Sequence, residues 1–114
     1  MKIKTAFLVL PRIIPFDFGE SPIFAGEAAQ VTCLVSQGDP PLDISWSFHG
    51  LGDLSQLGLS TNKVGKKASM LLIESASSHH RGNYTCSVRN PAGSVNYSTS
   101  LEIHGKLRCK QRSI

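Results

Sequence analysis

Long apolar runs are missing from this 114-residue chain; the apolar run near its N-terminus, Ala6-Phe7-Leu8-Val9-Leu10, is five residues. That is far too short to cross a bilayer. Cysteines number three, and neither they nor His49, His79, His80 and His104 have the spacing of a zinc site. No nucleophile elbow, phosphate-binding loop or zincin helix is present. Asp39, Asp43 and Asp53 are too scattered to argue a calcium cage. His79-His80 reads as a solvated loop pair rather than a pair of ligands. These absences point away from an enzyme, a cofactor, a metal or a small-molecule substrate.

A basic folded face is missing too, despite the formal charge of +4. Lys2, Lys4 and Arg12 lie at one end, and Lys106, Arg108, Lys110 and Arg112 at the other. Residues 13 to 105 hold five basic against eight acidic residues, a balance of −3. Nucleic-acid binding needs basic residues clustered on a folded surface with aromatics among them, so no nucleic-acid partner is expected. The length suits one domain. Residues 1–10 are expected to be a partial signal-like or disordered lead-in, because a basic start and a short apolar run meet no small-residue cleavage site. Residues 105–114, with the third cysteine at Cys109, carry no strand pattern. They are expected to be a basic, disordered tail on a fragment of a longer protein.

What the chain does have is alternation. Val31, Cys33 and Val35 share one face of a strand; Ile44, Trp46 and Phe48 share another, with serines between them. Leu71 and Ile73 alternate, then Gly82, Tyr84, Cys86 and Val88, then Val95, Tyr97, Thr99, Leu101 and Ile103. Turn residues separate the runs at Gly38-Asp39-Pro40-Pro41, His49-Gly50 and Asn90-Pro91-Ala92-Gly93. The last of these suits a hairpin between the final two strands.

Cys33 and Cys86, 53 residues apart, flank the single tryptophan Trp46, and Tyr84 sits two residues before the second cysteine. This constellation resembles the immunoglobulin fold. The resemblance implies an all-β, immunoglobulin-like β-sandwich of the I-set type: two antiparallel sheets joined by one disulfide, Cys33 to Cys86. Trp46 would pack on the sulfurs, and Tyr84 would form a tyrosine corner. Such a cross-link implies an oxidising compartment, hence an extracellular, cell-surface or secreted protein. The domain is expected over residues 11–104. One sheet would hold strands near 12–16, 28–36, 61–65 and 68–74; the other would hold 42–48, 83–90 and 94–103. Residues 50–60 lack clean alternation and read as a short connection, which favours the I-set form.

The pattern Leu71-x-Ile73-x-x-Ala76 followed by Gly82-x-Tyr84-x-Cys86-x-Val88-x-Asn90-x-x-Gly93 is similar to I-set domains of neural adhesion molecules. One departure is that His80 stands where the family usually has an aspartate paired with an arginine. Two segments, 11–20 and Trp46-Ser47-Phe48-His49-Gly50, resemble the seventh immunoglobulin domain of arthropod Down syndrome cell adhesion molecules, or the first domain of the shortened chelicerate forms. That likeness implies homophilic recognition, with a second copy of the same domain as partner, in neuronal or immune cells. A structural I-set domain of a muscle-type giant protein and a soluble immune-recognition domain are the alternatives.

Parity also assigns faces. If Val31, Cys33 and Val35 point inward, then Gln30, Thr32 and Leu34 point outward; if Leu71 and Ile73 point inward, then Met70, Leu72 and Glu74 point outward. Leu34, Met70 and Leu72 place three apolar side chains on the solvent side of one sheet, a candidate adhesion face. Two glycosylation sequons, Asn83-Tyr84-Thr85 and Asn96-Tyr97-Ser98, place candidate N-glycans on the other sheet.

Overall fold

The structure, a computed structural model, describes residues 8–50 and 58–105. Among the described residues, the β-branched and apolar runs form nine strands: β1 (Arg12–Ile13), β2 (Ile23–Phe24), β3 (Ala29–Gln37), β4 (Asp43–Gly50), β5 (Leu59–Val64), β6 (Ala68–Ile73), β7 (Gly82–Asn90), β8 (Gly93–Leu101) and β9 (Ile103–His104). They assemble into a four-stranded sheet of order β1-β3-β6-β5, a three-stranded sheet of order β4-β7-β8, and a small β2-β9 pair. Pairing within the two larger sheets is antiparallel throughout. Cys33 on β3 and Cys86 on β7 join these sheets through a disulfide, with their Cα atoms 6.4 Å apart. Cross-linking a loop of this length contributes roughly 4 kcal/mol on the loop-entropy account.

The core follows the period of two. From Ala29 to Ser36 burial alternates strictly along β3, with Ala29, Val31, Cys33 and Val35 inside. From the facing sheet Tyr84, Cys86 and Val88 are fully buried. Trp46 lies opposite Cys86 on the neighbouring strand and packs against both halves of the core. Its indole N–H donates to Ser69 Oγ at 3.1 Å, and its ring meets Phe16 edge-on at 5.5 Å. A polar tip on an otherwise apolar ring thus finds a partner across the sandwich.

Tyr84 closes the lower end. Its O–H donates to the His80 carbonyl at 2.7 Å, while its ring sits against Phe18 and Phe48, with centroids 5.3 and 4.7 Å away. Burial pushes the phenol up to about 12, so it remains a donor at any physiological pH. His80 is buried and His79 is exposed, so the expected solvated pair holds for only one member. The reason is local. Ser77 caps the short 3₁₀ turn Ser78–His80, and the Ser77 backbone N–H donates to His80 Nδ1 at 2.9 Å. A histidine thereby does the job of a glutamate or glutamine in a capping box.

Gly50 and Gly82 face each other where β4 meets β7. At Gly82, φ is +151°, and an added Cβ would stand 2.3 Å from the His49 carbonyl oxygen. At the other end, β7 turns into β8 through Pro91-Ala92, as the hairpin reading expected. Asn90 organises this turn: Oδ1 accepts from the Ala92 and Gly93 N–H groups at 2.9 and 3.2 Å. Its Nδ2 donates to the carbonyls of Val9 and Asp39 at 2.7 and 3.0 Å. Val9 is held further by Asp39, whose carboxylate accepts its N–H at 2.7 Å.

Two strand expectations change as well. The first strand is shorter than residues 12–16, although the Ile14 N–H still donates to the Leu34 carbonyl at 2.9 Å. The run expected as one strand over 94–103 breaks at Glu102. β7 begins at Gly82, opposite Leu101, so residues beyond have no β7 partner; Ile103–His104 pairs in parallel with Ile23–Phe24 instead. Residues 1–7 of the expected lead-in, Cys109 with most of the basic tail, and Asp53 with most of the 50–60 connection lie outside the described residues.

Candidate adhesion interface

The outward face of the β1-β3-β6-β5 sheet is built by register. Leu34 pairs with Ala68, and Ala68 with Val64 on the far side. Ile14, just past the end of β1 and bonded to the Leu34 backbone, extends that row beyond β3. Four apolar residues therefore line up across β3, β6 and β5 and onto the segment that follows β1. Three are open to solvent, with Ile14 38%, Leu34 45% and Val64 54% exposed, while Ala68 is covered.

The next two rows are Thr32-Met70-Asn62 and Gln30-Leu72-Ser60. Met70 and Leu72 are half-buried, and Gln30, Thr32 and Glu74 are exposed. The sequence-derived face is thus present as a face, but its packing differs in detail. Leu34 lies diagonal to Met70 and stands opposite Ala68. Apolar residues run down β6 and across one row, forming a bent strip rimmed by Gln30, Thr32, Ser60 and Asn62. An apolar centre with a polar rim is the common anatomy of a protein-protein contact. Thr32 Oγ1 donates to Gln30 Oε1 at 3.2 Å, which orders part of that rim.

Ile14 and Val64 were missed. Val64 could have been found by carrying the parity of Ala68 back across the Gly65-Lys66-Lys67 turn. Ile14 had no such signal, because its neighbour Leu34 is 20 positions away in the chain.

The outward face of β4-β7-β8 is chemically opposite. Its rows include Ser45-Ser87-Asn96, Ser47-Thr85-Ser98 and His49-Asn83-Ser100. Both sequon asparagines are exposed there. The described residues contain no cluster of three or more histidine, cysteine or acidic side chains that could hold a metal ion. No described helix is long and apolar enough to cross a membrane.

With the cross-linked sandwich in view, comparison with known proteins decides the family: the immunoglobulin domain family matches residues 11–90. The chain belongs to it. Cell adhesion molecule Dscam1 of Drosophila melanogaster is 35% identical over 103 residues, which are 90% of this chain and 5% of that protein. Cell adhesion molecule DSCAML1 of Mus musculus is 36% identical over 101 residues, again 89% of this chain and 5% of the relative. The immunoglobulin chain thus spans about one twentieth of these relatives' length. The crystal structure of the Dscam1 Ig7 domain, isoform 9, superposes with a TM-score of 0.74 at 38% identity, covering 82% of this chain and 99% of that one. An I-band fragment of titin superposes with a TM-score of 0.71 at 21% identity, covering 85% of this chain and 33% of the fragment, a likeness of fold alone. Both sequence relatives, Dscam1 and DSCAML1, are cell adhesion molecules.

Proposed function

We propose that this immunoglobulin domain is an extracellular module of a cell-adhesion and recognition molecule that binds a second copy of itself. Its site is the outward face of the β1-β3-β6-β5 sheet, and its setting is neuronal or immune cell recognition, on the cell surface or as a secreted form. The observation that carries this reading is the apolar strip through Ile14, Leu34, Val64, Met70 and Leu72, exposed or half-buried on the outward face and rimmed by Gln30, Thr32, Ser60 and Asn62. The Dscam relatives support an adhesion role, and the 38% identity to an Ig7 domain supports equivalence to that domain. A muscle-type structural role has only a fold likeness behind it.

Two copies meeting through this face would be related by a twofold axis, so every contact occurs twice. Leu34 and Leu72 contribute apolar area that water now covers in part, and burying it is favourable by roughly 25 cal/mol per Å². An aspartate at either position would place two carboxylates in the buried centre of the pair, a strongly unfavourable desolvation. Leu34→Asp or Leu72→Asp is therefore expected to abolish aggregation of beads coated with the domain, while circular dichroism and thermal midpoint report a folded protein. Unchanged aggregation by both folded variants would refute the proposal.

A further inference from the structure

The two sequons lie on the sheet opposite the apolar strip, and their geometry separates them. Asn83 is on β7, the central strand, between His49 of β4 and Ser100 of β8. It stands three residues before the cross-linked Cys86. Among the described residues, Asn96 is on β8, which ends the sheet, and it has a cross-strand partner on one side only, Ser87. Asn96 also opens on a groove of about 570 Å³ lined by Asp43, Ser45, Ser87 and Arg89 among others. The groove beside Asn83 is smaller, about 400 Å³. A sugar on Asn96 would meet serine hydroxyls and two groups of opposite charge, all able to hydrogen-bond to saccharide hydroxyls.

The hydroxyls of both sequons bond to each other. Thr85 Oγ1 and Ser98 Oγ lie 2.6 Å apart, directly across the β7-β8 pair. Each asparagine lies one row away from this bond, on opposite sides of it. Pairing the two strands therefore occupies both sequon hydroxyls and holds both segments extended.

We infer that Asn96 carries an N-linked glycan, that Asn83 does not, and that the sugar is attached before β8 pairs with β7. In the transfer, Asn96 Nδ2 forms a bond to the anomeric carbon of an oligosaccharide held on a lipid pyrophosphate. The carbon–oxygen bond to the pyrophosphate breaks, the lipid pyrophosphate leaves, and one amide proton passes to a base of the transferase. Asn83 loses the race because its strand pairs on both sides, with β4 already synthesised, and its neighbour Cys86 joins a cysteine made earlier. The attached glycan covers the hydroxyl-rich sheet with bulky, hydrated material. It denies partners that face without touching Ile14, Leu34 or Val64, and it does not depend on homophilic binding.

The test directs the full chain through the secretory pathway of eukaryotic cells and weighs it before and after enzymatic removal of N-glycans. Removal in ¹⁸O-water converts the glycosylated asparagine to labelled aspartate and so names the site. One glycan, on Asn96, is expected; Asn96→Gln and Ser98→Ala should each remove it, whereas Asn83→Gln and Ser98→Thr should keep it. A secreted chain without glycan, or with glycan on Asn83 alone or beside Asn96, overturns the assignment. Bare folded protein given the transferase and a lipid-linked donor is expected to stay unmodified, while the reduced, unfolded chain is modified at Asn96. Equal modification of both forms would overturn the order of events.

Discussion

Replacing Tyr84 by phenylalanine removes one oxygen from the base of the sandwich and little else. The ring contacts to Phe18 and Phe48 survive, so the change isolates the O–H donated to the His80 carbonyl at 2.7 Å. His80 is only 5% exposed, so water has little access to replace the lost donor. A buried carbonyl left without its donor costs about 1–3 kcal/mol. In a domain of this size each kcal/mol lowers the thermal midpoint by roughly 4–8 °C. Chemical denaturation should show a lower midpoint with an unchanged slope, since no extra surface is exposed. The same variant has a pH signature. Burial raises the folded phenol from 10.0 to about 12, so its contribution is whole below pH 10. Above that the unfolded chain ionises first, and stability falls as pH rises toward 12. Tyr84→Phe should flatten that alkaline decline. A midpoint shift under about 1 °C, or an alkaline decline identical in both proteins, would refute this account of the corner.

Two further outcomes follow from the cross-link and the upper turn. Cys33→Ala with Cys86→Ala should lower unfolding stability by roughly 4 kcal/mol on the loop-entropy account, measured by denaturant titration against the oxidised protein. Asn90→Ala removes four hydrogen bonds, two that close the β7-β8 turn at Ala92 and Gly93 and two that join it to Val9 and Asp39. It should cost about 2–3 kcal/mol, and hydrogen exchange should speed up at Ala92 and Gly93.

Much of the fold was legible because its signals are local. Cys33, Trp46, Tyr84 and Cys86 stand in strands whose period of two is visible in the residues themselves, and inward cysteines make their neighbours outward. That parity placed Leu34, Met70, Leu72, Asn83 and Asn96 on solvent faces. His80 was harder. Its polarity suggested exposure, and only the Ser77 cap, formed as the turn closes, accounts for its burial.

By itself the sequence determined the sandwich, the cross-linked pair and the face on which each strand residue lies, because strand geometry alternates regardless of what the strand touches. Tertiary structure decided which outward residues become neighbours. Ile14, Leu34, Ala68 and Val64 form one row, and Thr85 meets Ser98, through strand registers set between distant segments. Register is a property of pairs of strands, and slipping it by one residue would turn every side chain to the opposite face.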